Sequence, residues 1–394
     1  MPSTTRSGCG ADSRPSRPGL VGSKVLRRVN EQGPVQGRAQ APVKPDDSVP
    51  PELARARVWI LTDGKAGDEN QCIGIAEALG LAYETRRIPD GRPLTWMAPW
   101  GPIDPRDAPG RAGGLLQGPL PHLLIASGRR AVPYLRAVRR ASDEKTFTAF
   151  LKDPRTGHDT ADFIWVPDYD DLRGPNVFTT LTAPHPVSRA RLDAARTTPD
   201  PRLARLPWPR IAVLIGGDSR HLRYRKADMQ RLVRDLTKLA EGGCSLMLTV
   251  SRRTPPDLRK ALEDLVKDKG GFFWDGSGEN PYVGMLAIAD HIVVTSDSAN
   301  MVGEAASTGV PLLLFDLPRT YIRHRRMFAG LAMAGALKPF IGRLEALRYA
   351  PIDATPEIAA ALAEGYQRHR ARLAGEVAAV PRPAEPTSAP RGPF

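Results

Sequence analysis

Apolar residues along this chain gather in short runs. Each run is stopped by a turn rich in Gly, Ser or Asp and is followed by residues at helical spacing. Residues 57–62 (RVWILT) form the first run, which ends at Asp63-Gly64. Cys72, Ile75, Ala76 and Leu79 then share one helical face, and Asp68 with Gln71 three residues on predicts an N-cap and capping box. Runs at 122–126 (HLLIA), 146–151 and 163–166 predict further strands, with a helix from the Ser127-Gly128 turn to about residue 140. Short buried strands alternating with helices imply parallel βαβ units.

A second series begins after four prolines between Pro199 and Pro209. Runs at 211–215 (IAVLI), 245–250 (SLMLTV), 271–274, 291–295 (HIVVT) and 310–315 alternate with predicted helices at 228–240, 256–267, 281–289 and 298–307. A last helix is predicted at 355–373. The fold class is α/β: two Rossmann-like domains facing across a cleft, with disordered N- and C-terminal tails. The expected divisions are a tail at 1–55, a first domain at 56–198, a linker at 199–209, a second domain at 210–349, a C-terminal helix at 350–376 and a tail at 377–394. In open α/β sheets ligands bind beyond the carboxyl ends of the strands. The loops that follow each strand are therefore where chemistry is sought.

Composition narrows the partners. The 394 residues carry 56 Lys and Arg against 43 Asp and Glu, a formal charge of +13. Eight of the basic residues lie in the first 50 positions. Such a surface favours anionic partners and is compatible with peripheral contact with an anionic membrane. No apolar run reaches the ~18–20 residues of a membrane-spanning helix. Three cysteines and seven histidines show no metal-ligand spacing, so no metal site is expected. The lack of a signal peptide and of a disulfide framework points to a cytoplasmic protein. No nucleic-acid module, no G-x-S-x-G elbow and no complete Walker A pattern is present.

Six loops carry candidate chemistry. Asp63 and Asp68 stand beside Lys65 after the first run, as candidate general bases. Gly216-Gly217-Asp218-Ser219, followed by Arg220, His221, Arg223 and Arg225, joins close backbone approach to positive charge. Ser251-Arg252-Arg253-Thr254 offers hydroxyls and guanidiniums to a phosphate. Asp297 or Ser298 caps the helix after HIVVT, and Glu304 lies seven residues beyond Asp297, ~10 Å along the axis. That separation suits the diphosphate and ribose ends of one nucleotide. Ser127-Gly128-Arg129-Arg130 and Lys152-Asp153-Pro154-Arg155 are expected on the opposite wall. Each loop also reads as an ordinary cap or tight turn.

The run from Asn280-Pro281-Tyr282 through Val293-Val294-Thr295-Ser296-Asp297-Ser298 to Glu304-Ala305 resembles the signature of the mitochondrial-fission ELM1-like family, which has many bacterial members. Asp63-Gly64-Lys65, Asn70-Gln71, Lys152-Asp153-Pro154-Arg155, Leu214-Ile215-Gly216-Gly217 and Ser251-Arg252-Arg253-Thr254 are similar to its other blocks, in the same order, and the resemblance covers about 57–349. It implies a GT-B-type glycosyltransferase fold, with a nucleotide sugar held by the second domain and an acceptor presented by the first. The better-known GT-B sites carry a Glu-x7-Glu pair, where this chain has only Asp297 with Glu304.

The expected function is a metal-independent glycosyltransferase using a nucleotide-diphosphate sugar, with no cofactor, an acceptor of unknown identity and a place in cell-envelope glycan assembly. Asp297, Ser298 and Glu304 are expected to hold the donor, Gly216, Gly217, Ser251 and Arg252 its phosphates, and Asp63 or Asp68 to deprotonate the acceptor. The alternatives are a non-catalytic peripheral membrane or interaction protein of the mitochondrial-fission ELM1 type, and a nucleoside-diphosphate-sugar epimerase; the expected location is the cytoplasm, with peripheral contact at the inner membrane. The plant member is named for a role in mitochondrial division. Nucleic acid is not an expected partner.

Overall fold

The computed structural model describes residues 50–219 and 222–375. The expected tails, apart from residues 50–55, lie outside the described residues, as do Arg220 and His221. Residues placed in the first tail by sequence form a helical turn, α1 (Pro51–Ala54), whose Leu53 is fully buried in the first core.

The first domain continues with β1 (Val58–Thr62), α2 (Ala66–Ala78), β2 (Tyr83–Arg87), β3 (Leu123–Ser127), α3 (Ala131–Ala141), β4 (Phe147–Leu151), β5 (Phe163–Pro167) and β6 (Val177–Thr180). The chain then passes through α4 (Arg189–Thr197) and α5 (Pro201–Ala204). The second domain holds β7 (Arg210–Ile215), α6 (Lys226–Glu241), β8 (Ser245–Val250), α7 (Pro256–Lys269), β9 (Phe272–Trp274), α8 (Tyr282–Ile288) and β10 (His291–Thr295). It ends with α9 (Ala299–Ala306), β11 (Leu312–Phe315), α10 (Ile322–Met333) and β12 (Leu337–Pro339), and the described chain closes with α11 (Thr355–Leu373).

Each half is a six-stranded parallel sheet, ordered β2-β1-β3-β4-β5-β6 and β12-β11-β10-β7-β8-β9. The expected α/β class with two Rossmann-like domains is the architecture observed. Strands β1, β3 and β4 are buried along their whole length because helices cover both sheet faces. That double burial is why each reads as an unbroken apolar run. Strand β2 (YETRR) and β6 (VFTT) were not legible as runs: they are the sheet's edges and keep polar, incompletely buried positions. Helix α10 was also missed, since its sequence holds three arginines and a histidine around a short apolar face.

Helix α11 leaves the second domain and packs on the first. Ile358, Leu362 and Tyr366 share a core with Ile75, Phe147 and Trp165. Conversely, Leu192, Leu203 and Leu206, near α4 and α5, join the core of the second sheet beside Met285 and Leu286. The packing boundary therefore falls ahead of α4. The proline-rich stretch expected as a linker contains α5, whose Leu203 is fully buried.

Strand order reverses between β1 and β3 in the first sheet, and between β7 and β10 in the second. At such a switch point the adjacent connections leave toward opposite faces, so their loops part and open a crevice. Asp63 and Gly128 flank the first crevice; Gly216 and Asp297 flank the second. Among the described residues, no helix is long and apolar enough to cross a membrane.

Candidate functional site

The carboxyl ends of β3, β4 and β5 face the amino ends of α9 and α10 across a cavity of about 330 Å³. The first domain lines it with Asp68, Gln71, Arg129, Lys152, Arg155 and Tyr169 among others, and the second with Asn300, Arg323 and His324. Gln71 Nε2 donates to Asn300 Oδ1 at 3.2 Å across the gap. Arg323 donates to Asp170 at 2.5 Å, and Tyr169 OH approaches the Met327 sulfur at 3.9 Å. Both halves therefore build one site.

Lys152 follows β4 with φ +97°, a conformation costly for a residue with a side chain. Its N–H is held by the Trp165 carbonyl at 2.7 Å, and its ammonium meets Asp68 Oδ1. Asp68 is buried on the first turn of α2. This corrects its expected role as N-cap. Helix α2 starts two residues earlier, after Lys65, with no side-chain cap, and Asp68 turns to a cation 84 positions away instead. Gln71 likewise makes no capping box; it bonds Asn300, and its Oε1 is buried without a partner.

Asp63 is also buried, at the first switch point. Lys65 Nζ donates to its Oδ2 at 2.5 Å, while its Oδ1 is buried and unbonded. Gly128 packs over this carboxylate: a Cβ there would lie 2.9 Å from the Asp63 carboxyl carbon. Asp63 borders the cavity through Gly128 but does not line it.

At the second switch point the predicted glycine loop is occupied by the protein itself. A Cβ on Gly216 would stand 1.8 Å from Asp297 Oδ2, and one on Gly217 would stand 2.2 Å from the Arg253 carbonyl carbon. The glycines thus admit neighbouring loops. Gly216 N–H donates to Thr295 Oγ1 at 2.9 Å and Gly217 N–H to Asp297 Oδ2 at 2.6 Å, so neither is available to a phosphate here. Tyr224 OH donates to Asp297 Oδ1 at 2.7 Å. Burial raises the Asp297 pKa from its ordinary value, against the lowering pull of these donors. Asp297 latches the β7 and β10 loops together.

Ser251 and Thr254 approach one another at 3.2 Å between hydroxyls, and Thr254 Oγ1 donates to the Gly216 carbonyl at 2.5 Å. Arg252 is exposed. Ser298, not Asp297, caps α9, its hydroxyl accepting from Met301 N–H at 3.4 Å. Glu304 sits one side of α9 inward, only 8% exposed, and accepts from Tyr282 OH at 2.5 Å. Burial lifts its pKa to about 7. It does not line the cavity.

The structure thus brings Asp68 into the cavity and gathers Gly216, Gly217, Ser251 and Asp297 at the second switch point. Lys152 and Arg155 had been expected on the wall facing the donor side, and both line the cavity. Asn300, Tyr169 and Arg323 were not singled out by sequence. Asn300 had one usable signal, its place in the first turn of a helix that directly follows a buried strand. No sequence signal marked Arg323. In that first turn, the N–H groups of Ala299 and Asn300 have no hydrogen-bond acceptor among the described residues.

A protein of Arabidopsis thaliana described as mitochondrial fission protein ELM1 is 27% identical, over 77% of this chain and 89% of its own length. An uncharacterized protein of Rickettsia prowazekii is 23% identical, over 77% of this chain and 96% of its own length. Among solved structures, the UDP-GlcNAc 2-epimerase of Methanocaldococcus jannaschii superposes with a TM-score of 0.47 at 12% identity, covering 81% of this chain and all of that one. The profile of the mitochondrial fission ELM1 family matches residues 66–366, which take in the second sheet, all of the first but β1 and every residue lining the cavity, and the chain belongs to that family.

Proposed function

We propose that the interdomain cavity is the active site of a glycosyltransferase that takes its sugar from a nucleoside-diphosphate donor. The observation that carries this reading is the meeting, in one cavity, of the unpaired amino end of α9 with the pair formed by buried Asp68 and half-buried Lys152 of the other domain. A volume of about 330 Å³ falls within the range of small-ligand sites.

The N–H groups of Ala299 and Asn300, at the positive end of α9, receive the donor diphosphate. The Arg155 guanidinium forms no ion pair among the described residues and adds positive charge on the facing wall. The acceptor hydroxyl lies against Asp68. Its oxygen forms the bond to the anomeric carbon as that carbon's bond to the diphosphate oxygen breaks. The proton passes to the Asp68 carboxylate, and the departing electron pair is stabilised by the helix end and the arginine. Lys152 aims the carboxylate. In this reading Asp297 and Glu304 shape the donor half from within, since their carboxylates are engaged by Gly217, Tyr224 and Tyr282.

The test is calorimetric titration of the full chain with a panel of UDP-, GDP- and dTDP-sugars. At least one is expected to bind, and Asn300→Asp, which puts a negative charge at the helix end, is expected to weaken it about tenfold or more. Asp68→Asn is expected to retain donor binding and lose donor turnover. If no nucleotide sugar binds, or if Asn300→Asp binds as tightly as the parent, the reading is wrong.

A further inference from the structure

The segment between β2 and β3 contains a tight turn that carries Trp96 and Trp100, which are 74% and 70% exposed. Large aromatic rings left this open to water are costly in a soluble surface, and two within five residues form more than a scattered exception. The turn is firmly built. Trp100 N–H and Gly101 N–H both donate to the Met97 carbonyl, at 3.2 and 3.0 Å. Gly101 packs so closely that a Cβ would lie 2.4 Å from Met97 Cβ.

Two arginines hold the turn from below. Arg129 donates to the Ala98 carbonyl at 2.6 Å and Arg136 to the Pro99 carbonyl at 3.2 Å. Among the described residues neither forms an ion pair, so each brings a positive charge to the turn that carries the tryptophans. Residues 90–140 hold eight arginines against three aspartates. Those aspartates are already paired: Asp90 with Arg130, Asp104 with Arg106 and Asp107 with Arg92. Of the other five arginines, Arg139 pairs with Asp162, while Arg111, Arg129, Arg136 and Arg140 form no ion pair among the described residues and leave a positive excess. Arg129 also lines the interdomain cavity, so the turn sits at its rim.

Indole rings partition to the headgroup level of a bilayer, where the ring is buried and its N–H stays wet, and each nearby arginine adds attraction to anionic lipid. We infer that the Trp96–Trp100 turn docks the protein on an anionic bilayer surface. The cavity rim then lies at the membrane, and a substrate entering from that side is lipid-borne. The docking stands independently of the nucleotide-sugar reading; only the lipid-borne acceptor rests on it.

Flotation of the full chain with phosphatidylcholine vesicles, with and without phosphatidylglycerol, tests the inference. Wild type is expected to float with the anionic vesicles and to be released by salt. Trp96→Ala/Trp100→Ala is expected to lower the vesicle affinity about tenfold or more, because ~150 Å² or more of aromatic surface per ring no longer leaves water. Trp208→Ala removes an equally exposed tryptophan, 74% open, from another part of the chain and is expected to float like wild type. Matching circular dichroism and melting curves show that the variants fold. Failure of wild type to float, equal flotation of the double variant, or equal loss in Trp208→Ala overturns the inference, as does salt-insensitive binding to neutral vesicles. Donor titration is unaffected by these outcomes, so the two proposals fail separately.

Discussion

Replacing Gly217 with alanine adds one methyl group at the second switch point, and the structure predicts a large cost. Gly217 does not adopt a positive φ, so backbone strain plays no part. On conformational grounds alone the change would stabilise by about 0.4–1 kcal/mol. The new Cβ, however, would stand 2.2 Å from the Arg253 carbonyl carbon and 2.4 Å from Thr254 N. That segment cannot step aside freely. Ser251 N–H is bonded to the Ile215 carbonyl at 2.9 Å, Asp218 N–H to the Arg253 carbonyl at 2.9 Å, and Thr254 Oγ1 to the Gly216 carbonyl at 2.5 Å. Overpacking costs ~1–3 kcal/mol, and displacing two of these bonds costs ~1 kcal/mol each, for a total of about 3–5 kcal/mol. Urea unfolding followed by circular dichroism measures it. Gly284, inside α8, is the control. A Cβ there meets only Leu203 Cδ1, at 3.5 Å, so Gly284→Ala should stabilise by about 0.5–1 kcal/mol. The two glycine substitutions should shift the midpoint in opposite directions. A Gly217→Ala midpoint at or above that of wild type would refute the claim that these glycines exist to admit the protein's own loops.

Lys152→Met strands the buried Asp68 carboxylate and should cost about 1–3 kcal/mol, tempered because the lysine side chain is 40% exposed. Adding Asp68→Asn should return part of that loss, and strict additivity in the double-mutant cycle would disprove the coupling. Glu304 has a folded pKa of about 7 against an ordinary 4.5. The folded state therefore holds its proton more tightly, and the resulting stability is full below about 4.5 and fades as pH rises through 7. A Glu304→Gln variant should lack this decline, a difference of about 3 kcal/mol across the window. Parallel stability–pH curves for the two proteins would show that Glu304 does not titrate in this way.

Much of the architecture was written in local pattern. Strands such as RIAVLI and HIVVT lie where helices cover both sheet faces, and their buried stretches had to be almost wholly apolar. The turns Asp63-Gly64 after β1 and Gly216-Gly217 after β7 mark strand ends, so the crevice positions were readable too. Edge strands β2 and β6 escaped notice because a half-exposed strand carries no such run. The arginines of α10 concealed a helix that forms one wall of the cavity.

Local chemistry also misassigned roles where distant groups compete. Asp68 has the spacing of a capping residue, yet an ion pair with Lys152 in a buried place outweighs a bond to a nearby N–H. Asp297 follows the same rule: with Ser298 able to cap, its carboxylate goes to Gly217 and Tyr224 and ties two loops. The exchange of α4 and α5 with α11 between the two cores was equally invisible, because amphipathic helices declare an apolar face without naming the sheet that will cover it. Which elements form, and where their loops emerge, follows from periodicities of two and 3.6 residues, which any short window displays. Which carboxylate meets which cation is settled only when chain segments far apart are brought out of water together, since the strength of that pairing depends on burial that no window of sequence contains.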